Sequence, residues 1–317
     1  TYSHLFFVAD VDGTGPVLDG ELHIALDTSQ FLAAFPLAVG RARVIGTTPE
    51  TNGATKTWKD VAQDVTQRLE LANVHVRDFS CYHVHHRVAD HFRAGRVFLL
   101  GDAAHLHSPA GAQGMNTGIG DAINLAWKLA DVLHGAPATL LDSYEPERRG
   151  FANKLVTTTD RIFQLATKEG GVAEFIRTRI APHAIHVLLG MQLTRRTGFR
   201  LVAQLEISYR ESAVSDGFAG DLHAGDRLPW VPNPTGSDNF EPLATRNWQL
   251  HVYGAASDAL HAAGLPVHVF PFSDAAKTSG LARDAVYLIR PDGYIGWADA
   301  DGDVASLARY RARYMRT

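Results

Sequence analysis

The 317-residue sequence predicts a mixed α/β chain of two domains, residues 1–215 and 216–317, and three observations carry that reading. Residues 4–48 hold four strand-like pieces joined by turn-rich linkers, and residues 95–135 run from an apolar stretch through a glycine-bearing loop into a long helical pattern. A Gly- and Pro-rich stretch at 216–234 then separates two different element orders. With 45% hydrophobic residues the chain can bury a large core. A net charge of -4 offers no basic field for nucleic acid or an anionic membrane, and no run approaches a membrane span or a signal peptide. The one cysteine, Cys81, excludes an internal disulfide or a CxxC pair, which suits a cytoplasmic protein.

Taken in order, LFFVAD (5–10), ELHIAL (21–26), FLAAFPL (31–37) and RARVIGTT (41–48) are linked by short turns, so an antiparallel meander is the economical arrangement. Thr57 and Asp60 have capping-box spacing ahead of a Trp58, Val61, Val65, Leu69 stripe, which predicts a core-facing helix over 57–71. His83, His85, His86, His91, His105 and His107 crowd the next stretch. No carboxylate or cysteine completes a ligand spacing with them, so no metal site is predicted and they read as half-buried or solvated side chains.

Val97–Leu100, bounded by Gly95 and Gly101, predicts a parallel strand buried on both faces. Asp102 then falls where open α/β sheets bind ligands, and Gly101 permits close approach to the backbone. The loop Ser108–Asn116 carries Pro109, Gly111 and Gly114 and ends where Asn116 or Thr117 can cap a helix. Ile119, Ile123, Ala126, Leu129, Ala130 and Leu133 recur at helical spacing opposite Asp121, Asn124, Lys128 and Asp131, until Gly135 and Pro137 stop the helix. Unpaired N–H groups and the positive dipole end at its start favour an anion, or a ring that becomes negative on reduction.

Residues 140–212 are largely helical in pattern, with a long helix opening at Tyr144-Glu145-Pro146-Glu147-Arg148-Arg149 and broken at Gly170-Gly171. Arg177, Arg179, Arg195, Arg196 and Arg200 read as a solvated or salt-bridged face, and these helices are available to a second subunit. Beyond 234 the order is strand 247–254, helix 257–264, strand 266–272, strand 284–291, strand 294–298 and helix 303–315.

GRVFLLGDAAH at 95–105, followed by SPAGAQGMNTGIGDAINLAWKLA at 108–130, closely resembles the second FAD-binding signature of the single-component flavoprotein aromatic hydroxylases, the phenol 2-monooxygenase and p-hydroxybenzoate hydroxylase group. The resemblance implies FAD as cofactor, NAD(P)H as electron donor, and O2 and a small phenolic aromatic as substrates. It implies that Asp102 binds the ribityl chain, that Gly114, Met115 and Asn116 meet the pyrimidine edge of the flavin, and that Gly101, Pro109 and Gly111 also belong to the cofactor site. Pro109 would stand where flavin and phenol meet, its carbonyl toward the reacting centre. The first sheet would bind substrate, with Phe35, Leu37 and Arg43 as candidate pocket residues. The last hundred residues resemble the thioredoxin-like C-terminal domain of the phenol hydroxylase branch without its cysteines, leaving a scaffold or homodimer role. No strand followed by GxGxxG occurs, so the chain reads as an incomplete FAD-binding domain, the C-terminal part of such an enzyme. Two other readings compete: a noncatalytic fragment or interaction module, and an FAD-dependent reductase or dehydrogenase.

Overall fold

The computed structural model describes residues 4–26, 31–49, 56–106, 113–167, 199–200, 203–233 and 236–316. The chain divides into two compact units, one of Thr1–Val88, His105–Gly114 and Lys154–Phe199, the other of Ala89–Ala104, Met115–Asn153 and Arg200–Thr317.

In the first unit β1 (His4–Thr14), β2 (His23–Leu26), β3 (Phe31–Ala38), β4 (Arg41–Pro49) and β5 (Ala72–His83) form an antiparallel sheet in the order β2-β3-β4-β1-β5. The four expected strands are present, but β1 lies between β4 and β5 and not beside β2, so the simple meander is corrected. Alternation along β1 explains this: Phe7, Ala9 and Val11 face one side and pack with Leu32, Ala34, Ala42 and Val44. That face is closed by α1 (Trp58–Arg68) through Val61 and Val65, with Leu69 just after it. Gly46 admits the Phe7 ring, since a Cβ there would lie 2.5 Å from Phe7 Cζ. The Thr57 N–H donates to Asp60 Oδ2 at 2.7 Å, starting α1 where expected. The helix stops at Arg68, three residues short of expectation, because Glu70 takes a left-handed φ of 49°. A two-residue ladder pairs β6 (Arg87–Val88) with β9 (His105–Leu106).

The second unit corrects the expected buried parallel strand at Val97–Leu100. Only β8 (Val97–Phe98) is strand, and it pairs antiparallel with β7 (Arg93–Ala94) across a turn at Gly95, whose φ is 60°. Val97 is 65% exposed. Local partners satisfy the backbone instead: the Leu99 N–H donates to Phe92 O at 2.9 Å, and Tyr144 Oη donates to Leu99 O at 2.8 Å. Two long helices follow, α2 (Gly114–Leu133) and α3 (Tyr144–Thr167). The expected segments around 175–193, with Arg177, Arg179, Arg195 and Arg196, lie outside the described residues; Arg200 pairs with Glu206 at 3.4 Å.

The rest of this unit is a mixed six-stranded sheet made by β10 (Asp216–Ala219), β11 (Leu222–His223), β12 (Gln249–Tyr253), β13 (Val267–Phe270), β14 (Val286–Ile289) and β15 (Ile295–Asp299), in the order β11-β10-β15-β14-β12-β13. β12 and β13 are parallel, and β14 runs antiparallel to β12 and β15. Short helices α4 (Asp258–His261) and α5 (Asp274–Thr278) follow β12 and β13, and α6 (Val304–Tyr314) closes the chain. Both sheet faces are covered: Leu250, Val252, Leu288 and Trp297 pack with Leu307 and Tyr310, while Tyr253, Tyr287, Ile289 and Ile295 pack on the opposite side. Double burial is why these strands read as unbroken apolar runs. The glycine-rich stretch after 216 is ordered as the β10–β11 hairpin. Its Gly217 is required by close packing, because a Cβ there would lie 2.1 Å from Ala298 O.

Candidate functional site

The sequence motif converges in the second unit on a turn and a helix start. After β8, Gly101–Ala103 forms a single 3-10 turn in which Gly101 has a φ of 57° and Asp102 is exposed. α2 lies directly against it, and a Cβ on Gly118 would sit 3.2 Å from Gly101 Cα. The Gly101 N–H donates to Asp121 Oδ2 at 3.0 Å, so the turn is tied to the second turn of the helix. Met115 and Asn116, also exposed, fall in the first turn, less than one turn before Gly118.

Helix α2 begins at Gly114, so the expected cap at Asn116 or Thr117 is corrected. Thr117 is fully buried, its hydroxyl accepts from Gln204 Nε2 at 2.9 Å and its carbonyl from Arg148 Nη2 at 3.1 Å; the side chain serves tertiary structure. The polarity of the helix is inverted relative to the usual amphipathic arrangement. Asp121, Asn124 and Lys128 are buried, whereas Ile119 is 50%, Ile123 41% and Leu133 84% exposed. Of the four polar residues expected on the outer face only Asp131 sits partly at the surface, accepting from Trp248 Nε1 at 2.7 Å.

What rewards burial of these groups is a pair of neutralising clusters. Glu147 Oε1 accepts from Ser212 Oγ at 2.6 Å and Arg290 Nη1 at 2.9 Å. Its Oε2 accepts from Asn124 Nδ2 at 2.6 Å, Lys128 Nζ at 2.8 Å and Arg290 Nη2 at 3.0 Å. Arg290 also binds Asp292 at 2.6 Å, and Trp127 Nε1 donates to the same Asp292 oxygen at 2.9 Å. Burial alone would raise the Glu147 carboxyl, but Arg290 and Lys128 overcome it and hold the group well below the usual carboxylate range. Burial pulls the Lys128 ammonium down to about 8 against the opposing charge of Glu147. In the second cluster Arg148 Nε donates to Asp121 Oδ1 at 2.6 Å and Nη1 to Tyr209 Oη at 2.8 Å. Sequence reading assigned none of these residues to the site. The available signal was the polar stripe at Thr117, Asp121, Asn124 and Lys128 in a helix whose other faces are apolar.

The remaining predicted positions divide as follows. Pro109 and Gly111 lie outside the described residues, as does His107. Phe35, Leu37 and Arg43 belong to the first unit, where Phe35 lies opposite Arg43 across β3 and β4 and Leu37 is exposed at the strand end. Arg43 makes a two-pronged bond to Asp10 at 2.7 and 2.8 Å, and this hydrogen bond holds the Asp10 carboxyl below its ordinary value. The same sheet face, opposite α1, carries Phe6 stacked on Tyr82 at 6.1 Å. Among the described residues no three His, Cys, Asp or Glu side chains are grouped to hold a metal, and no helix is long and apolar enough to cross a membrane.

A flavin fits what is present in the second unit: an exposed carboxylate for hydroxyl donors, a glycine-to-glycine approach that leaves the turn bare of Cβ atoms, and a 20-residue helix starting beside it. Comparison with known proteins agrees. Residues 28–159 match the FAD binding domain family. The chain is 33% identical over 275 residues to a flavin-dependent monooxygenase of Mycobacteroides abscessus, covering 83% of this chain and 51% of that protein. It is 35% identical over 267 residues to the tetracenomycin A2 monooxygenase-dioxygenase of Streptomyces glaucescens, covering 73% of this chain and 44% of that one. Among solved structures, the OxyS anhydrotetracycline hydroxylase from Streptomyces rimosus superposes with a TM-score of 0.74 at 26% identity, over 100% of this chain and 64% of that one. The chain thus spans about half the length of these two curated relatives. Its residues 28–159 thus match the FAD binding domain family, within a chain similar over most of its length to these two monooxygenases.

Proposed function

We propose that this chain is part of an FAD-dependent monooxygenase that hydroxylates a phenolic aromatic, using NAD(P)H as electron donor and O2 as oxidant. The observation that carries the reading is the Gly101–Asp102 turn, tied to Asp121 and pressed against Gly118 within a stretch that matches the FAD binding domain family. Bound FAD would supply the electron transfer and oxygen chemistry. The chain's own residues bind, orient and exclude water. Asp102 accepts hydrogen bonds from the ribityl hydroxyls. Gly114, Met115 and Asn116 offer backbone groups to the pyrimidine edge, where the positive helix end favours a reduced, negative ring. Pro109, outside the described residues, is given by the resemblance alone the place where flavin and substrate meet.

The first sheet is given the substrate through Phe35, Leu37 and Arg43, with Arg43 held in orientation by Asp10. The names of the tetracenomycin and anhydrotetracycline enzymes support a multi-ring phenolic substrate. Residues 216–317 are read as a thioredoxin-like domain, on the strength of the β13-β12-β14-β15 order and the closing helix α6. With no cysteine after Cys81 it serves as scaffold or as a homodimer contact.

The test is titration of the purified chain with FAD, followed by its visible spectrum after gel filtration. Asp102→Ala is expected to raise the dissociation constant for FAD about tenfold or more, as loss of a charged hydrogen-bond acceptor does, roughly 1.4 kcal/mol. Its melting temperature should match the wild type because Asp102 is exposed. Equal FAD affinity in the variant rejects the role of Asp102, and a wild-type chain that stays colourless at saturating FAD favours the interaction-module reading.

A further inference from the structure

The Gly101–Asp102 turn is connected to the C-terminal sheet by a continuous line of polar contacts. Asp121 receives the Gly101 N–H on one oxygen and Arg148 Nε on the other. Arg148, almost wholly buried, spends its remaining donors on Thr117 O and on Tyr209 Oη. Burial would weaken the guanidinium charge, but Tyr209 and Asp121 offset that and keep it protonated. Tyr209 is in turn fixed from the sheet side. Its N–H donates to Gly225 O at 2.8 Å, and Gly225 donates to Ile295 O at 2.7 Å at the start of β15. Gly225 has a φ of 91° and lies so close that a Cβ would fall 2.3 Å from Tyr209 C. The Tyr209 ring packs on Tyr294 at 4.4 Å. Asp121, Arg148 and Tyr209 are all too buried to meet a ligand, so their function is geometric. A guanidinium joins three acceptors in one plane, and displacing any one of them moves the others.

We propose that Asp121, Arg148 and Tyr209 form a positioning relay through which the C-terminal sheet sets the backbone of the Gly101–Asp102 turn. The proposal rests on the reading of that turn as the flavin contact, and it deepens it by giving the cysteine-free C-terminal domain a role at the cofactor. None of the three is a catalytic residue; they act through the turn. Arg148→Lys keeps the charge but not the planar fork, so it should behave as a broken relay.

The experiment is amide hydrogen exchange across residues 97–104 in the 317-residue chain, together with FAD titration and the flavin visible band shape. Tyr209→Phe removes only the hydroxyl that accepts from Arg148. It is expected to speed exchange at the Gly101 amide about tenfold and to raise the FAD dissociation constant several-fold with a changed band shape. Tyr310→Phe is the matched control: it removes another buried hydroxyl of the same unit, the one on α6 that donates to Val214 O at 2.8 Å. It should leave Gly101 exchange at the wild-type rate whatever it does to the melting temperature. Wild-type exchange at Gly101 in both Tyr209→Phe and Arg148→Lys overturns the relay, as does equal acceleration by Tyr310→Phe. If the exchange pattern is as expected while even the wild type ignores FAD, the relay stands and the flavin reading of the turn fails.

Discussion

His251 stands fully buried on β12 with neither ring nitrogen in a hydrogen bond, 5.6 Å from the His268 ring and 5.0 Å from Phe270. Burial first, and then the neighbouring His268, push its pKa down to about 3. The unfolded chain takes up this proton near pH 6.5, so between about 6.5 and 3 the unfolded state binds more protons than the folded one. Stability contributed by the neutral imidazole is therefore present above 6.5 and is lost as pH falls toward 3, in total on the order of 4 kcal/mol. His251→Leu keeps the volume and removes the titrating group. Its melting temperature should exceed that of the wild type by more at pH 5 than at pH 8, and a gain independent of pH would show that His251 does not carry the acid sensitivity. No periodicity in the sequence distinguishes this histidine from its neighbours. Whether an imidazole is dry depends on what the fold lays beside it, here His268 and Phe270 of the neighbouring strand.

At the scale of elements, α2 shows where pattern reading succeeds and where it does not. The helix, its glycine entry and its end at Gly135 were legible because they follow from local chemistry. Its facing was not. Alternation of polar and apolar residues states that two faces differ, and assigning the apolar one to the core assumes no buried counter-charges. Here Glu147 arrives from 19 residues beyond Lys128, and Arg290 from a further 143 residues beyond Glu147, and together they reverse the assignment. The same limit explains Val97–Leu100, whose apolar run was visible but whose pairing partner was not. It also explains β5, an edge strand whose interleaved His75, Arg77 and Asp78 hide its period; the four strands from 247 on were readable because both faces there are apolar, whereas α5 and the β10–β11 hairpin were not. A direct check is available. Ile119→Ser on the exposed face should cost about 0.5 kcal/mol or less, as surface changes do. Asn124→Leu, which strips a hydrogen bond from buried Glu147 and Lys128, should cost roughly 2–3 kcal/mol. Urea midpoints in the opposite order would restore the ordinary amphipathic facing.

For the molecule as a whole, the second unit joins segments that the sequence presents as separate domains, since 89–104 and 115–153 share a unit with 200–317. The joint is electrostatic at its centre and aromatic at its rim: Arg290 meets Glu147, Asp292 meets Trp127, and Trp127 stands edge-on to Trp248 at 5.3 Å. A buried pair of this kind adds little over an apolar contact, but removing one partner strands the other charge at about 3–5 kcal/mol. Helix α2 and the sheet should therefore unfold in one step. Tryptophan emission reports that step, because Trp127, Trp230, Trp248 and Trp297 lie in this unit and only Trp58 lies in the other. In the wild type, loss of emission should coincide with loss of amide protection in both α2 and β14–β15 along a urea series. Glu147→Ala and Arg290→Ala should each shift the midpoint strongly downward, and the double variant should lose less than the sum of the two, since neither charge is then left alone. Protection in α2 that disappears in the wild type while β14 and β15 keep theirs, or a double variant whose loss is strictly additive, would separate the helices from the sheet and return the boundary near 216 to the status of a folding boundary.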